Sequence, residues 1–155
     1  MKKRKILISK YVLKKMEYLT RKYDRTENGG LIYGRMNPEW IQINDVSDAG
    51  EKAKRTYSGV EFDREYLSEY TEQKLLEEQF VVGTWHSHPK GYDIVPSAID
   101  RNTMSRLFRY YDESHYPAFI ITKFEINKFF FAFYKVEKDG SVTNLVDYEV
   151  FDEEA

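Results

Sequence analysis

An α+β fold, one mixed β-sheet flanked by helices, is the architecture this sequence predicts, and three observations carry it. Strand-length apolar or alternating runs occur at 30–36 (GLIYGRM), 39–47 (EWIQINDVS) and 80–85 (FVVGTW). They are interleaved with stretches whose apolar residues recur at helical spacing. At 155 residues, with no repeats, low-complexity segments or linkers, the chain has the length of a single domain around a single core.

Taken in order, Ile6 to Ile8 read as a short strand. Ser9 reads as the cap of the following helix, because its hydroxyl satisfies a free N–H of the first turn. Val12, Leu13, Met16 and Leu19 fall on one face of that helix, with Lys14, Lys15, Glu17 and Arg21 opposite. Asp24 to Gly30 is a turn, and Asn37 with Pro38 join the strands on either side of them as a hairpin. The run 48–59 is poor in apolar residues and predicts a solvated loop. A sharper alternative is a flap beside a cleft, its Lys52, Lys54 and Arg55 meeting an acidic partner surface. A second helix is expected over Phe62–Gln79 with Phe62, Tyr66, Tyr70 and Leu76 on one face. FVVGTW predicts a central buried strand, 90–96 a loop, and 97 to about 111 a third helix with Ile99, Leu107 and Phe108 inward. Tyr116–Lys123 and Lys128–Lys135 are two further strands, and 142–151 a last strand or extended tail.

Composition excludes several function classes. Hydrophobic residues make up 41% and charged residues 32%, a globular balance. The formal charge of −2 supplies no basic field, so nucleic acid is not an expected partner. Cysteine is absent, which removes thiolate chemistry and leaves histidine and carboxylate as metal ligands. The N-terminal MKKRKILISK carries no apolar stretch of signal-peptide length and no segment could span a bilayer, so a cytoplasmic protein with no membrane partner is expected. Gly29, Gly30 and Gly34 do not follow nucleotide-loop spacing, so a nucleotide site is not expected.

The chemistry concentrates in 85–100, WHSHPKGYDIVPSAID. His86 and His88 end the apolar strand one residue apart, so alternation of faces points both imidazoles to the same side. Asp100, in the first turn of the helix that PSAID opens, can supply a third ligand and leave a fourth position open, the catalytic rather than the closed zinc arrangement. Ser97 followed three residues later by an acid is also a helix-capping pattern. The readings are compatible, since a capped helix end can aim Asp100 at a metal.

HSHP, then seven residues (90–96), then Ser97, two residues and Asp100, with Glu27 upstream in ENGGLIYG, resembles the JAMM motif of the JAB/MPN zinc metalloprotease family. The resemblance covers nearly the whole chain and implies one MPN domain over 1–155, of the cytidine-deaminase-like type, with a mixed sheet flanked by helices. It implies Zn2+ on His86, His88 and Asp100, with Glu27 moving the proton of the attacking water and Ser97 stabilising the oxyanion. The implied activity is that of an isopeptidase or peptidase cutting between the C-terminal tail of a ubiquitin-like or other conjugated protein and a lysine or short peptide. Stand-alone bacterial members resemble the deconjugating peptidase of anti-phage CBASS operons, which acts on a conjugated cGAS-like nucleotidyltransferase, and the processing peptidases of sulfur-carrier and ubiquitin-like pathways. Two other classes are weighed against this: a non-catalytic MPN scaffold, which a complete motif disfavours, and a zinc-dependent role on nucleic acid, which the charge disfavours. His115 is expected to be structural, Trp85 core, Asp93 a solvated carboxylate, and Tyr92 a substrate-contacting side chain or plain loop residue.

Overall fold

The computed structural model describes residues 4–112 and 115–153. Strand β1 (Lys5–Ser9) runs into helix α1 (Lys10–Lys22), and β2 (Gly29–Met36) and β3 (Trp40–Val46) form a hairpin. A smaller hairpin, β4 (Lys54–Thr56) and β5 (Gly59–Glu61), leads to α2 (Arg64–Leu76) and β6 (Phe80–Ser87). Helix α3 (Ala98–Phe108) and strands β7 (Ala118–Glu125), β8 (Lys128–Val136), β9 (Val142–Leu145) and β10 (Tyr148–Phe151) complete the chain. The fold is α+β, as expected.

The large sheet is mixed, with strand order β10-β1-β3-β2-β6-β7-β8-β9. β9 and β10 therefore stand at opposite edges although only Val146 and Asp147 separate them. Three peptide steps reach at most about 11 Å, so the sheet has to curl until its edges approach. The ring of Tyr148 on β10 accordingly packs against Phe131 and Phe133 of β8, with centroids 5.5 and 5.1 Å apart.

α1 covers one face, where Val12, Met16 and Leu19 join Ile6, Ile8, Ile32, Ile43, Trp85 and Ile120 in the main core. Ser9 caps this helix as expected, accepting from the Tyr11 N–H at 3.1 Å. The opposite face of β7 and β8 carries Phe119, Ile121 and Tyr134 beneath Met104 of α3. Adjacent residues 119 and 120 thus serve different cores, the strand period made visible.

Several expectations are corrected. The 48–59 loop is partly the β4–β5 hairpin, and while Lys52 and Lys54 are exposed, Arg55 turns inward with its side chain only 10% exposed. α2 is capped by Asp63 and buries Leu67, whereas Leu76 is 80% exposed. Leu76 follows Tyr70 by six residues, which carries it about 120° round the helix and off the face on which Tyr66 and Tyr70 flank buried Leu67. In α3, Leu107 and Phe108 pack inward but Ile99 is 69% exposed, at the rim of the cleft described next.

Candidate metal centre and cleft

β6 lies between β2 and β7, central and buried as its apolar sequence requires. At its end Trp85 turns into the main core, its indole N–H donating to the Ser47 carbonyl at 2.8 Å, and His86 and His88 project to the other side. Their Nε2 atoms stand 3.2 Å apart. Asp100 closes the triangle, with Oδ1 3.1 Å from His86 Nε2 and Oδ2 3.0 Å from His88 Nε2. Ligands about 2.0–2.1 Å from a tetrahedral zinc are separated by about 3.3 Å, so this triangle has the dimensions of one face of such a site.

The protonation of His88 sharpens the point. Its Nδ1 lies 2.6 Å from the backbone carbonyl of Asp93, which can only accept, so Nδ1 carries the hydrogen. In the neutral ring Nε2 then presents a lone pair to a carboxylate oxygen. That opposition requires a cation between the two atoms, a proton or a metal ion. Burial disfavours charge on both groups, but the hydrogen bonds between them outweigh it. The Asp100 carboxyl is held well below its usual range by His86 and His88, and the His88 imidazole is raised by Asp100 and the Asp93 carbonyl. Asp93 thus acts through its backbone as an orienting group, a role its side chain does not announce.

Ser97 caps α3. Its hydroxyl accepts from the Asp100 N–H at 3.1 Å while Asp100 Oδ2 accepts from the Ser97 N–H at 2.9 Å, a reciprocal capping box. The cap fixes the carboxylate that faces the histidines.

Glu27 lies just before β2, outside the His86, His88 and Asp100 group that can hold a metal. Burial and the neighbouring Asp100 raise its carboxyl above the ordinary range, with His86 and His88 opposing. It reaches the site because Gly29 allows close approach: a Cβ there would lie 2.6 Å from the Trp85 carbonyl oxygen. At Gly30 an added Cβ would lie 2.1 Å from the Ser47 carbonyl, the close backbone packing that the family resemblance implies for these glycines. Glu27, His86 and Asp100 open on a cleft of about 470 Å³ whose apolar wall includes Val60, Phe62, Leu67, Ile99 and Met104. Consecutive residues 58–61 all line it, so β5 presents an edge rather than one alternating face. Ser97 and Tyr92 are not among the lining residues, and Tyr92 is exposed on its loop. His115 pairs with Asp112 at 3.2 Å, away from the cleft.

Residues 9–133 match the family described as prokaryotic homologs of the JAB domain. The chain belongs to that family. Its fold is similar to the solution structure of protein DSY2949 from Desulfitobacterium hafniense, with TM-score 0.71, 20% identity, and 97% of this chain and 94% of that chain covered. No curated protein matches the sequence. Two features of this JAB domain escaped the sequence reading. Ser87, between the two histidines, faces away from them and holds Asn28: its N–H donates to the Asn28 carbonyl at 2.8 Å and its hydroxyl accepts from the Asn28 N–H at 2.9 Å. Strand alternation signalled that side, since a residue between two convergent histidines must face the other way. Arg55 is the second, and nothing in a charged, apolar-poor run distinguishes an inward arginine from an exposed one. Among the described residues no helix is long and apolar enough to cross a membrane.

Proposed function

We propose that this JAB domain is a zinc-dependent isopeptidase, cleaving the bond between the C-terminal tail of a conjugated protein and a lysine or short peptide. The carrying observation is the convergence of His86, His88 and Asp100 on one triangle with the raised carboxyl of Glu27 facing the same cleft. When bound, zinc supplies Lewis acidity, acidifying water and polarising a carbonyl. Glu27 takes the proton of the attacking water and delivers it to the leaving amine; a raised pKa suits both halves of that task. Ser97 is assigned to the oxyanion through its hydroxyl, whose oxygen is fixed by the Asp100 N–H and whose hydrogen can donate, while its backbone N–H is given to Asp100 Oδ2. The free edge of β5 receives the tail as an added strand, with backbone hydrogen bonds giving affinity and the apolar wall meeting alternate side chains.

The substrate class rests on resemblance: a ubiquitin-like protein, or a cGAS-like nucleotidyltransferase conjugated during anti-phage defence, with the cytoplasm as the site of action. Host lysate lacking the protein tests this. Added wild type should collapse a defined set of high-mass conjugates and leave lysine-linked remnants identifiable by mass spectrometry, while Glu27→Gln and chelator-treated enzyme should not. Conjugates unchanged by zinc-loaded wild type would contradict the reading.

A further inference from the structure

A three-residue strand such as β5 is not by itself ready to receive a substrate. Short isolated hairpins are marginal in water. Here the hairpin is tied to the segment that carries Glu27 by two independent contacts. The Glu27 N–H donates to the Thr56 carbonyl at 2.8 Å. Arg55, one residue earlier, reaches over the top: Nε donates to Asn28 Oδ1 at 2.9 Å, and its terminal amine donates to Asp48 Oδ2 at 3.1 Å and to the Gly50 carbonyl at 3.3 Å. Its guanidinium lies 3.9 Å over the ring of Tyr23. Asn28 is wholly buried, and its amide donates to Asp48 Oδ1 at 2.9 Å and the Leu19 carbonyl at 3.3 Å. Its backbone is the one clamped by Ser87, between the two histidines.

We infer that Arg55 is a positioning residue, a latch that holds the β4–β5 hairpin and Glu27 in one rigid unit with the histidine strand before any substrate arrives. The inference rests on the isopeptidase reading for its catalytic consequence, though not for its structural one. The latch needs arginine. Its planar fork serves Asn28 and Asp48 together while its flat face stacks on Tyr23, and an ammonium can do one of these at a time. Charge is balanced locally by Asp48, so Arg55 is not available to an acidic partner. Glu27 touches nothing of Arg55 directly; what it gains is a fixed backbone, and displacement of a reacting group by about 1 Å costs up to roughly a hundredfold in rate.

Two readouts test this on the full chain. Hydrogen exchange needs no substrate: in wild type the Glu27 amide and the amides paired between β4 and β5 should be protected, and Arg55→Lys should speed their exchange at least tenfold while leaving 80–88 protected. With a lysine-linked conjugate, Arg55→Lys should lower kcat at least tenfold and raise KM at unchanged zinc content, and millimolar ethylguanidinium should partly restore Arg55→Ala but not Glu27→Gln. Equal exchange in wild type and Arg55→Lys would overturn the latch. So would unchanged kcat and KM. If wild type cleaves no conjugate, the isopeptidase reading fails, and the exchange result alone decides the latch.

Discussion

Two buried aspartates in this molecule each gather two nitrogen-bearing side chains, and they behave differently. Asp45, 4% exposed on β3, accepts from Lys15 at 2.9 Å, from Lys74 at 2.7 Å and from the Tyr70 hydroxyl. Burial pushes its carboxyl up, but those donors prevail and hold it below the ordinary range. Lysine brings its proton permanently, so the cluster is electrostatically complete as it stands. Asp100 gathers two imidazoles instead, and His88, with its Nδ1 hydrogen committed to the Asp93 carbonyl, reaches it through an Nε2 lone pair unless a cation intervenes. A closed set of charges ties α1, β3 and α2 together; an open set can hold an ion. The chemistry of the partner nitrogen, rather than burial or pair distance, separates scaffold from site.

The sharpest way to break the comparison is Asp100→Ala. It should abolish zinc binding and hydrolysis, and cost roughly 1 kcal/mol of stability through the lost cap, read by metal analysis and thermal unfolding. Glu27→Gln should keep zinc and lose roughly a hundredfold to ten-thousandfold in kcat, as removal of a general base does. Full activity in this variant would remove Glu27 from the proton path. Asp45→Ala should do the reverse of Asp100→Ala: zinc and specific activity intact, stability lower by roughly 3 kcal/mol in denaturant titration, because two partly buried ammonium groups lose their counter-charge.

The pH dependence follows from the same contrast. A carboxyl depressed on folding contributes stability that is present above its unfolded pKa and fades as pH falls through its folded value. Asp45 is such a group, so wild type should lose this contribution only in the acid range below ordinary carboxylates, and Asp45→Asn should flatten that part of the profile. Glu27 must be deprotonated to act, so kcat should fall on the acid side; burial and Asp100 raise its carboxyl in the metal-free protein, and a bound cation beside it would pull it back down. The smallest effect is expected at exposed Leu76, where Leu76→Glu should change stability by no more than about 0.5 kcal/mol.

What could be read from the sequence was what obeys a local period. His86 and His88 converge because strand side chains alternate, Ser97 and Asp100 announced a cap by their spacing and that cap turns Asp100 toward the histidines, and α1 showed its buried face through Val12, Met16 and Leu19. The unread parts depend on long-range geometry. The helical face holding Tyr66 and Tyr70 did not reveal Asp45 beneath it, since the pairing spans 25 residues of chain for Tyr70. Arg55 meets Asn28 across 27 residues, and only the curl of the sheet and the β4–β5 hairpin bring them together. The split of 142–151 into strands on opposite edges is likewise a property of closure, invisible to a two-residue period.

Zinc titration by calorimetry at neutral pH, run in parallel on wild type, Asp45→Asn and Asp100→Asn, tests the central claim most directly. The account predicts a single zinc ion bound per chain by wild type and Asp45→Asn, and at least a hundredfold weaker binding by Asp100→Asn. Binding that survives Asp100→Asn unchanged, or that is lost with Asp45→Asn while the fold persists, would contradict it.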